Sequence, residues 1–184
     1  MTNDVKTWKG MEKLVPSKLT RFIGISNFSP KQVDEILAAA TIKPKVLQVE
    51  LHPYLQQDDF VASVLRKGIQ LTAWAPLGNT SPTYANTGSR VPKLLTTPVI
   101  NDIAKARGCT PAQVVLAWNM ARGVVVIPKA AQVQHQQENI ATIGKCKLES
   151  EDMRKIKALQ VPLRLISQPC AQLRNACFEG LEGV

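Results

Sequence analysis

The hydrophobic and polar positions of the chain form two kinds of segment that alternate along it. Short runs rich in β-branched residues predict four strands, at residues 21–25, 46–51, 69–75 and 124–128. The first and last runs are almost continuously apolar, which is typical of strands in a parallel sheet covered on both faces. Segments with helical spacing of apolar residues precede the first strand and separate the others. This alternation predicts an α/β fold with right-handed crossovers.

Local signals for helix ends support the helical segments. Ser29 and Thr110 each precede a proline and stand three residues before a glutamine, which predicts a capping box with proline at the first helical position. Thr97 also precedes a proline, and Gly108 is expected to end the helix that begins there. Two further helices are predicted over 57–67 and after a cap at Ser150.

Two architectures share this alternation: an open doubly wound sheet and a closed (β/α)8 barrel. The chain contains neither a GxGxxG turn nor a P-loop pattern, which argues against a doubly wound nucleotide domain. A full barrel needs eight strands and about 250 residues. With 184 residues and four predicted strands, this chain supplies half of one.

Residues 78–93 are predicted to form a long polar loop, and such loops are usually functional or disordered.

Composition excludes several classes of partner. The net charge is 23 − 14 = +9, but the basic residues are dispersed and no nucleic-acid signature is present, so no nucleic-acid binding is expected. The sequence has neither a membrane-length apolar stretch nor a signal peptide, which predicts a soluble cytoplasmic protein with no membrane contact. The cysteines suggest neither a metal site nor a disulfide framework; they are expected to be reduced and inert, with Cys109 the one plausible reactive thiol.

Polar residues that are able to bind a ligand lie where the predicted strands end. Ser26, Asn27 and Gln48 bring hydroxyl and amide groups suited to holding a carboxamide. Trp74 offers a flat face on which a heteroaromatic ring can stack. Lys129 is a cation near a helix N-terminus, which is a favourable place for a phosphate.

Four segments carry a family resemblance: TWKGMEKL at 7–14, IGISNF at 23–28, QVELHPYL at 48–55 and TPAQV at 110–114. In this order and spacing they resemble an aldo-keto reductase of the fungal glycerol dehydrogenase and aldose reductase type. The resemblance implies the C-terminal half of a TIM barrel, a partial NADP-dependent oxidoreductase domain over residues 1–160. A divergent tail over 161–184 follows, which does not resemble the substrate-binding tail of the family.

The resemblance also implies NADP(H) as cofactor and a set of residues that bind its nicotinamide and pyrophosphate. Ser26, Asn27 and Gln48 would hold the nicotinamide amide, and Trp74 would stack on the ring where the family usually has tyrosine. The pyrophosphate would lie against the loop after the third strand, in which Ala75 replaces a usual serine. That loop consists of Ala75, Pro76, Leu77, Gly78 and Asn79.

The adenosine end of the cofactor would lie near the last predicted strand. Lys129 would contact the 2'-phosphate, and Glu138 and Asn139, expected to open the next helix, would meet the adenine. Ala130 and His135 stand where the family usually has a serine and an arginine. Losing a hydroxyl and a bidentate cation should weaken phosphate binding by a few kcal/mol.

The catalytic residues of the family are missing from this chain. The resemblance implies reduction of a small-molecule aldehyde or ketone to an alcohol, with a proton usually supplied by tyrosine. The family's Asp, Tyr, Lys and His lie on strands upstream of residues 7–14, so we expect a truncated oxidoreductase and assign no catalytic residue. His52 and Tyr54 belong to a different motif. Whether the chain is an enzyme stays open; the alternative is a noncatalytic dinucleotide-binding or scaffold protein derived from an aldo-keto reductase.

Each candidate site residue also has a plain structural interpretation. Ser26 and Asn27 suit a turn at a strand end. Trp74 could belong to the core, Lys129 could be a solvated helix-start residue, and Glu138 could be a capping or surface acid. Only Gln48 resists such an interpretation, because a buried amide needs partners.

A half barrel raises a problem of exposed surface. Two edge strands would be unpaired, and an inner apolar face including Val46, Val49, Leu71 and Val126 is expected to meet water. The lost burial would be comparable with the stability of a domain. Four alternatives follow: two halves pair by self-association, a partner chain completes the half-barrel, the sheet stays open and rearranges, or the natural protein is longer than this chain.

Overall fold

The structure is a computed structural model that describes residues 2–81, 91–161 and 163–165. The predicted loop at 78–93 falls largely on residues outside this part, and so does most of the predicted tail. Short 3-10 turns at Gly78–Thr80 and Leu94–Thr96 flank the gap at 82–90. The larger elements follow in chain order: α1 (Asn3–Glu12), β1 (Gly24–Ser26), α2 (Pro30–Ala39), β2 (Val46–Glu50), α3 (Asp58–Arg66), β3 (Gln70–Trp74), α4 (Pro98–Arg107), α5 (Pro111–Ala121), β4 (Val125–Val126), α6 (Val133–Lys145) and α7 (Ser150–Lys157).

The strands form one parallel sheet in the order β1-β2-β3-β4. The pairing register aligns Ser26 with Gln48, Gln48 with Thr72, and Thr72 with Val125. The predicted α/β fold with four parallel strands is confirmed. Each strand is shorter than predicted because only the paired residues form the ladder.

One face of the sheet is covered by α1, α2 and α3. Side chains that alternate along the strands, such as Ile25, Leu47 and Leu71, join apolar residues of these helices in one buried core. The expectation that Val49 and Leu71 would be exposed is wrong, since both point to this helical side and are at most 2% exposed. The opposite, open face instead carries the row that the register aligns, from Ser26 to Val125.

A second core lies beside the sheet. The helices α4, α5 and α7 enclose buried residues that include Leu94, Ile100, Trp118 and Ile156. Within the part of the chain that the structure describes, no helix is both long enough and apolar enough to cross a membrane.

The helix-end signals are largely confirmed. Ser29 and Thr110 form complete capping boxes with the glutamines three residues on, and Gly108 ends α4 in the left-handed region at φ 61°. The cap of α7 is Glu149 rather than Ser150. Glu138 lies in the middle of α6 and does not open it, because that helix already begins at Val133.

The structure corrects the interpretation of the cysteines. Cys109 and Cys146 form a disulfide, with a Cα–Cα distance of 5.7 Å, although 37 residues separate them in sequence. The expectation that these thiols are free and reduced is therefore wrong. The pairing arises because the start of α5 lies against the end of α6. Cys170 and Cys177 lie outside the described residues.

We predict that Leu47→Ala lowers the free energy of unfolding by about 2–5 kcal/mol, because it leaves a cavity between sheet and helices. Leu47 is fully buried, whereas Leu19 is 76% exposed. The matched control Leu19→Ala should change stability by no more than about 0.5 kcal/mol. Urea denaturation followed by circular dichroism measures both, and equal losses in the two variants would contradict the assigned core.

Candidate functional site

The carboxyl ends of the four parallel strands lie at one end of the sheet, where the chain turns sharply out of β1 and β3. Asn27 and Ala75 directly follow these strands, and both have left-handed backbone, with φ of 57° and 47°. Residues other than glycine rarely adopt this conformation, and strained backbone of this kind is common at functional sites. The two turns mark this end of the sheet as the candidate site.

Hydrogen bonds bring together four residues that the sequence predicts for one subsite. The Ser26 hydroxyl donates to the backbone carbonyl of Gln48 at 3.0 Å, and the Asn27 backbone N–H donates to the same oxygen at 2.9 Å. The indole N–H of Trp74 donates to Asn27 Oδ1 at 2.9 Å. Asn27 thus joins β1 to β3 across β2, and the side chains of Gln48 and Trp74 are half-buried. We call Ser26, Asn27, Gln48 and Trp74 the strand-end cluster.

A cleft of about 810 Å³ begins next to Trp74 and extends to α5 and α6. The turn after β3 forms one wall, and the start of α5 and the first half of α6 form the other. The predicted site residues that line it are Ala75, Pro76, Leu77, Gly78, Lys129, Glu138 and Asn139, with His135 beside them. Ala130 lines a separate groove of about 320 Å³ between β4 and α6.

The turn after β3 is held in place by contacts specific to Gly78 and Asn79. Gly78 has φ 62°, and a Cβ added there would meet the Leu94 side chain at 3.0 Å. Asn79 is buried; its Oδ1 accepts from the Leu94 N–H at 3.0 Å and its Nδ2 donates to the Pro92 carbonyl at 3.2 Å. The side chain of Asn79 therefore fixes the far side of the loop and does not line the cleft.

Glu138 connects the two helices that form one wall of the cleft. Its carboxylate accepts a hydrogen bond from the Thr110 hydroxyl, and its backbone carbonyl accepts from Gln113 Nε2 at 2.9 Å. Thr110 caps α5, so α6 is fastened to the first turn of α5. Glu138 thus has a structural contact in addition to its place in the cleft.

Lys129 and the residues after it approach the same wall. Lys129 is exposed and lies four residues before the start of α6. Ala130 presents its carbonyl to Gln136 Nε2 at 3.2 Å. The cation therefore lies near the free N–H groups of a helix start, which favours an anion.

Several residues of the cleft were not predicted. Pro111 and Ala112 come from a helix start that the sequence does reveal, but nothing local shows that this helix faces β3. The others follow strands or turns that carry no chemical motif. The unpredicted lining residues are Thr80, Ser81, Leu95, Pro111, Ala112 and Ile127.

A buried polar cluster lies at the end of β2. Glu50 and His52 are fully buried, and Glu50 Oε1 lies 2.8 Å from His52 Nε2. The same carboxylate oxygen accepts from the backbone N–H of Leu165 at 2.7 Å. Arg164 contacts Gln57 Oε1 at 3.4 Å; burial lowers the pKa of its guanidinium, and the charge of Glu50 opposes that shift. The cluster ties the segment 163–165 to β2.

His52 and Tyr54 do not present acid or base groups to the cleft. His52 Nδ1 accepts the N–H of Leu55 at 3.1 Å while Nε2 faces Glu50, so both ring nitrogens have partners. Tyr54 is buried and donates its hydroxyl to the Pro92 carbonyl at 2.9 Å, and burial raises its pKa. Neither residue is positioned as a proton donor.

No three His, Cys, Asp or Glu side chains are arranged to hold a metal ion in the described ranges 2–81, 91–161 and 163–165.

Comparison with known sequences relates this architecture to one family. The model of the aldo/keto reductase family matches residues 2–161. The aldo/keto reductase slr0942 of Synechocystis is 44% identical over 161 residues, which are 88% of this chain and 49% of that protein. The aldo-keto reductase family 1 member A1 of Sus scrofa is 38% identical, over 87% of this chain and 48% of that protein. The chain spans about half the length of the curated relatives it matches.

Solved structures agree with the fold. The aldose reductase from Schistosoma japonicum superposes with a TM-score of 0.79 at 33% identity, covering 91% of this chain and 51% of that one. Apo Gox0644 gives a TM-score of 0.74 at 32% identity, covering 85% of this chain and 53% of that one. The four strands and their helices therefore correspond to about half of a TIM barrel of the aldose reductase type, and the predicted fold class is confirmed.

We predict that Glu50→Ala destabilises the protein by about 3–5 kcal/mol, since it removes one partner from a buried cluster of charged and polar groups. The matched control is Glu151→Ala on α7, where the carboxylate is exposed and pairs with Arg154 and Lys155. Surface pairs contribute little, so the control should stay close to the parent protein. Thermal and urea denaturation measure both variants, and a small loss in Glu50→Ala would contradict the structural role of the cluster.

Proposed function

Because this chain belongs to the aldo/keto reductase family, we propose that it forms the cofactor-holding half of an NADP(H)-dependent oxidoreductase that reduces an aldehyde or ketone to an alcohol. The observation that carries this proposal is the strand-end cluster beside the long cleft. The cluster supplies amide, hydroxyl and aromatic groups at one end, and Lys129 supplies a cation at the other.

The chemistry of the strand-end cluster suits a nicotinamide. Trp74 occupies Asn27 Oδ1, which leaves the Asn27 Nδ2 hydrogens to donate to a carboxamide oxygen. The Gln48 amide can donate and accept, and the ring of Trp74 offers a stacking face. Ser26 donates its own hydrogen to Gln48 and keeps acceptor capacity for the carboxamide nitrogen. A bound NADPH would supply the hydride for the carbonyl carbon.

The size and lining of the cleft suit the rest of the dinucleotide. Its volume of about 810 Å³ lies within the range of cofactor and ligand sites. The turn from Ala75 to Gly78 would border the pyrophosphate, and Lys129 would face the 2'-phosphate. Ala130 and His135 stand in place of the usual serine and arginine, so among the described residues that line the cleft Lys129 is the permanent cation that would meet that phosphate.

Among the described residues, the phenol of Tyr54 and the imidazole of His52 are not available as proton donors, since both are buried and engaged elsewhere. Tyr84, the other phenol, lies outside the described residues. We propose that the proton reaches the nascent alkoxide from residues on four additional strands, which complete the barrel.

The surface around β4 supports this need for completion. β1 and β4 each pair on one side only. Exposed apolar residues concentrate at the β4 side: Val125, Ile127, Val133, Ile140 and Ile143 are 46–68% exposed. We call these five residues the β4 edge surface. A second copy of this chain, or a partner chain with the other strands, would pair these edges and cover the open face. The cytoplasmic location stays a prediction.

A second candidate function is binding of the dinucleotide without catalysis. The specific observation that favours it is that the strand-end cluster and Lys129 offer groups for a dinucleotide, whereas the Tyr54 hydroxyl and the His52 ring are engaged within the fold. Such a protein would act as a sensor or scaffold.

We predict that Lys129→Ala weakens NADPH binding about ten-fold or more, because a contact between charged groups contributes about 1.5–3 kcal/mol. NADH lacks the 2'-phosphate, so its affinity should hardly change. The matched control is Lys43→Ala, whose exposed side chain lies before β2, at the opposite end of the sheet. Titration of intrinsic Trp fluorescence measures both nucleotides. Equal weakening of NADPH and NADH, or weakening in the control, would contradict the assigned phosphate site.

We also predict NADPH-dependent reduction of a nitrobenzaldehyde by the purified protein, lost or strongly reduced in Asn27→Ala and in Gln48→Ala. Both changes remove donors to the nicotinamide amide and should misplace the ring. NADPH absorbance measures the rate, and light scattering on the same sample gives the mass of the active species. Turnover should accompany the assembled form rather than the single chain.

The outcomes of this experiment separate the two candidates. Turnover that depends on Asn27 and Gln48 supports the reductase. Tight NADPH binding without turnover in any assembly supports the noncatalytic protein. Absence of binding would contradict both.

A further inference from the structure

The disulfide between Cys109 and Cys146 joins the two helices that form one wall of the cleft. Cys109 directly precedes Thr110, the cap of α5, and Cys146 caps the C-terminal end of α6. The bond therefore fixes the start of one helix to the end of the other. Nothing in the proposed reduction of a carbonyl uses these two sulfur atoms.

The residues between the two ends of this link belong to the cleft. Pro111 and Ala112 of α5 and Glu138 and Asn139 of α6 all line it. Thr110, adjacent to Cys109, donates to the Glu138 carboxylate, and Gln113 donates to the Glu138 carbonyl. Opening the disulfide would therefore affect the cleft through Thr110, which caps α5, and through its hydrogen bond to Glu138.

A second contact keeps the same chain segments together independently of the sulfur atoms. Arg107 Nε lies 2.7 Å from Asp152 Oδ2, and its Nη1 lies 2.5 Å from Glu149 Oε1. These residues stand just before Cys109 and just after Cys146 in sequence. Opening the disulfide would therefore leave the two thiols near each other and able to pair again.

The two cysteine residues differ in burial. Cys146 is 7% exposed, whereas Cys109 is half-buried. An external thiol can therefore reach Cys109 more readily, with Cys146 as the leaving group.

We propose that Cys109–Cys146 is a reversible redox-modification site, reduced by dithiols and formed by peroxides, whose closed state holds the α5–α6 wall in the form that binds a dinucleotide. The coupling to nucleotide binding rests on the proposed function; the redox site itself does not. Closed, the link restrains α6 against α5. Open, the wall keeps only noncovalent contacts, such as those of Thr110 and Gln113 with Glu138, so α6 moves more freely against α5 and affinity falls.

Reduction of the disulfide proceeds by thiol–disulfide exchange, and its formation proceeds through a sulfenic acid. A thiolate of the dithiol attacks Cys109 Sγ, the S–S electron pair goes to Cys146 Sγ, which takes up a proton, and the second thiol of the reagent then displaces Cys109. The reagent leaves as its own disulfide, and two thiols remain on the protein. In the reverse direction, the Cys109 thiolate attacks a peroxide oxygen and releases water, and the Cys146 thiolate displaces the hydroxyl of the sulfenic acid as a second water.

The experiment uses the full chain carrying Cys170→Ser and Cys177→Ser, which leaves only this pair of cysteines. The control adds Cys109→Ser and Cys146→Ser to that background. Each protein is treated with hydrogen peroxide or with dithiothreitol and freed of reagent. Four properties are then measured: free thiols, melting temperature, hydrogen exchange of residues 133–146, and the dissociation constant for NADPH.

For the protein that keeps the pair, peroxide should remove both thiols and dithiothreitol should restore them. Reduction should lower the melting temperature by roughly 5–15 °C, because it removes a loop constraint. It should also speed exchange in α6 and weaken NADPH binding about five-fold or more, which is the usual scale of coupling between sites. The control should show no response of melting temperature, exchange or affinity to either reagent.

Each remaining outcome overturns a defined part of the proposal. Two free thiols that persist after peroxide would overturn the redox site. A reversible disulfide with the same NADPH affinity in both states would overturn the coupling. If neither state binds NADPH, the proposed function fails and the coupling with it, while thiol counts and α6 exchange still decide the redox site.

Discussion

The parallel register of the four strands is the constraint on which the rest of the structure depends. Because side chains alternate along a strand, alignment of Ser26 with Gln48 also places Ile25 beside Leu47 on the helical side. A slip of one residue would exchange the buried and open rows. Parallel pairing also brings the carboxyl ends of the strands to the same end of the sheet. Asn27 after β1 can therefore accept the indole hydrogen of Trp74 from β3.

Patterns among neighbouring residues predict the helices and strands well, but they do not predict contacts between residues that are far apart in the sequence. The caps at Ser29 and Thr110 depend on residues three positions away, so they can be recognised from the sequence alone. The link from Cys109 to Cys146 and the contact from Thr110 to Glu138 depend on how α5 lies against α6, for which no local pattern exists. The expectation for Val49 is wrong because the alternation of Leu47 and Val49 with Gln48 and Glu50 separates the two faces of β2 without showing which face the helices cover.

The candidate site shares its residues with the scaffold. Asn79 belongs to the predicted pyrophosphate loop, yet its side chain fixes Leu94 on the other side of that loop. Glu138 lines the cleft and also fastens α6 to the cap of α5. Trp74, the proposed stacking residue, holds Asn27 through its indole nitrogen. Such sharing makes the cleft rigid on the side that would hold the cofactor, since the groups that would bind are positioned by bonds within the fold.

The exposed surface of the unpaired sheet differs in polarity between its β1 side and its β4 side. At β1 and β2 the open face carries Ser26 and Gln48, which water can solvate, whereas the β4 edge surface exposes five apolar side chains. Burial of apolar area is the main gain in association, so a completing chain would be stabilised chiefly at β4. At Ser26 and Gln48 it would exchange hydrogen bonds with water for bonds within the protein, which contributes less, although Phe22, just before β1, is also 63% exposed and would gain from burial. A second core, around Trp118 and Ile156, joins α4, α5 and α7. No residue of the four strands belongs to this core, so the packing of α5, which borders the cleft at Pro111 and Ala112, does not rest on an edge strand.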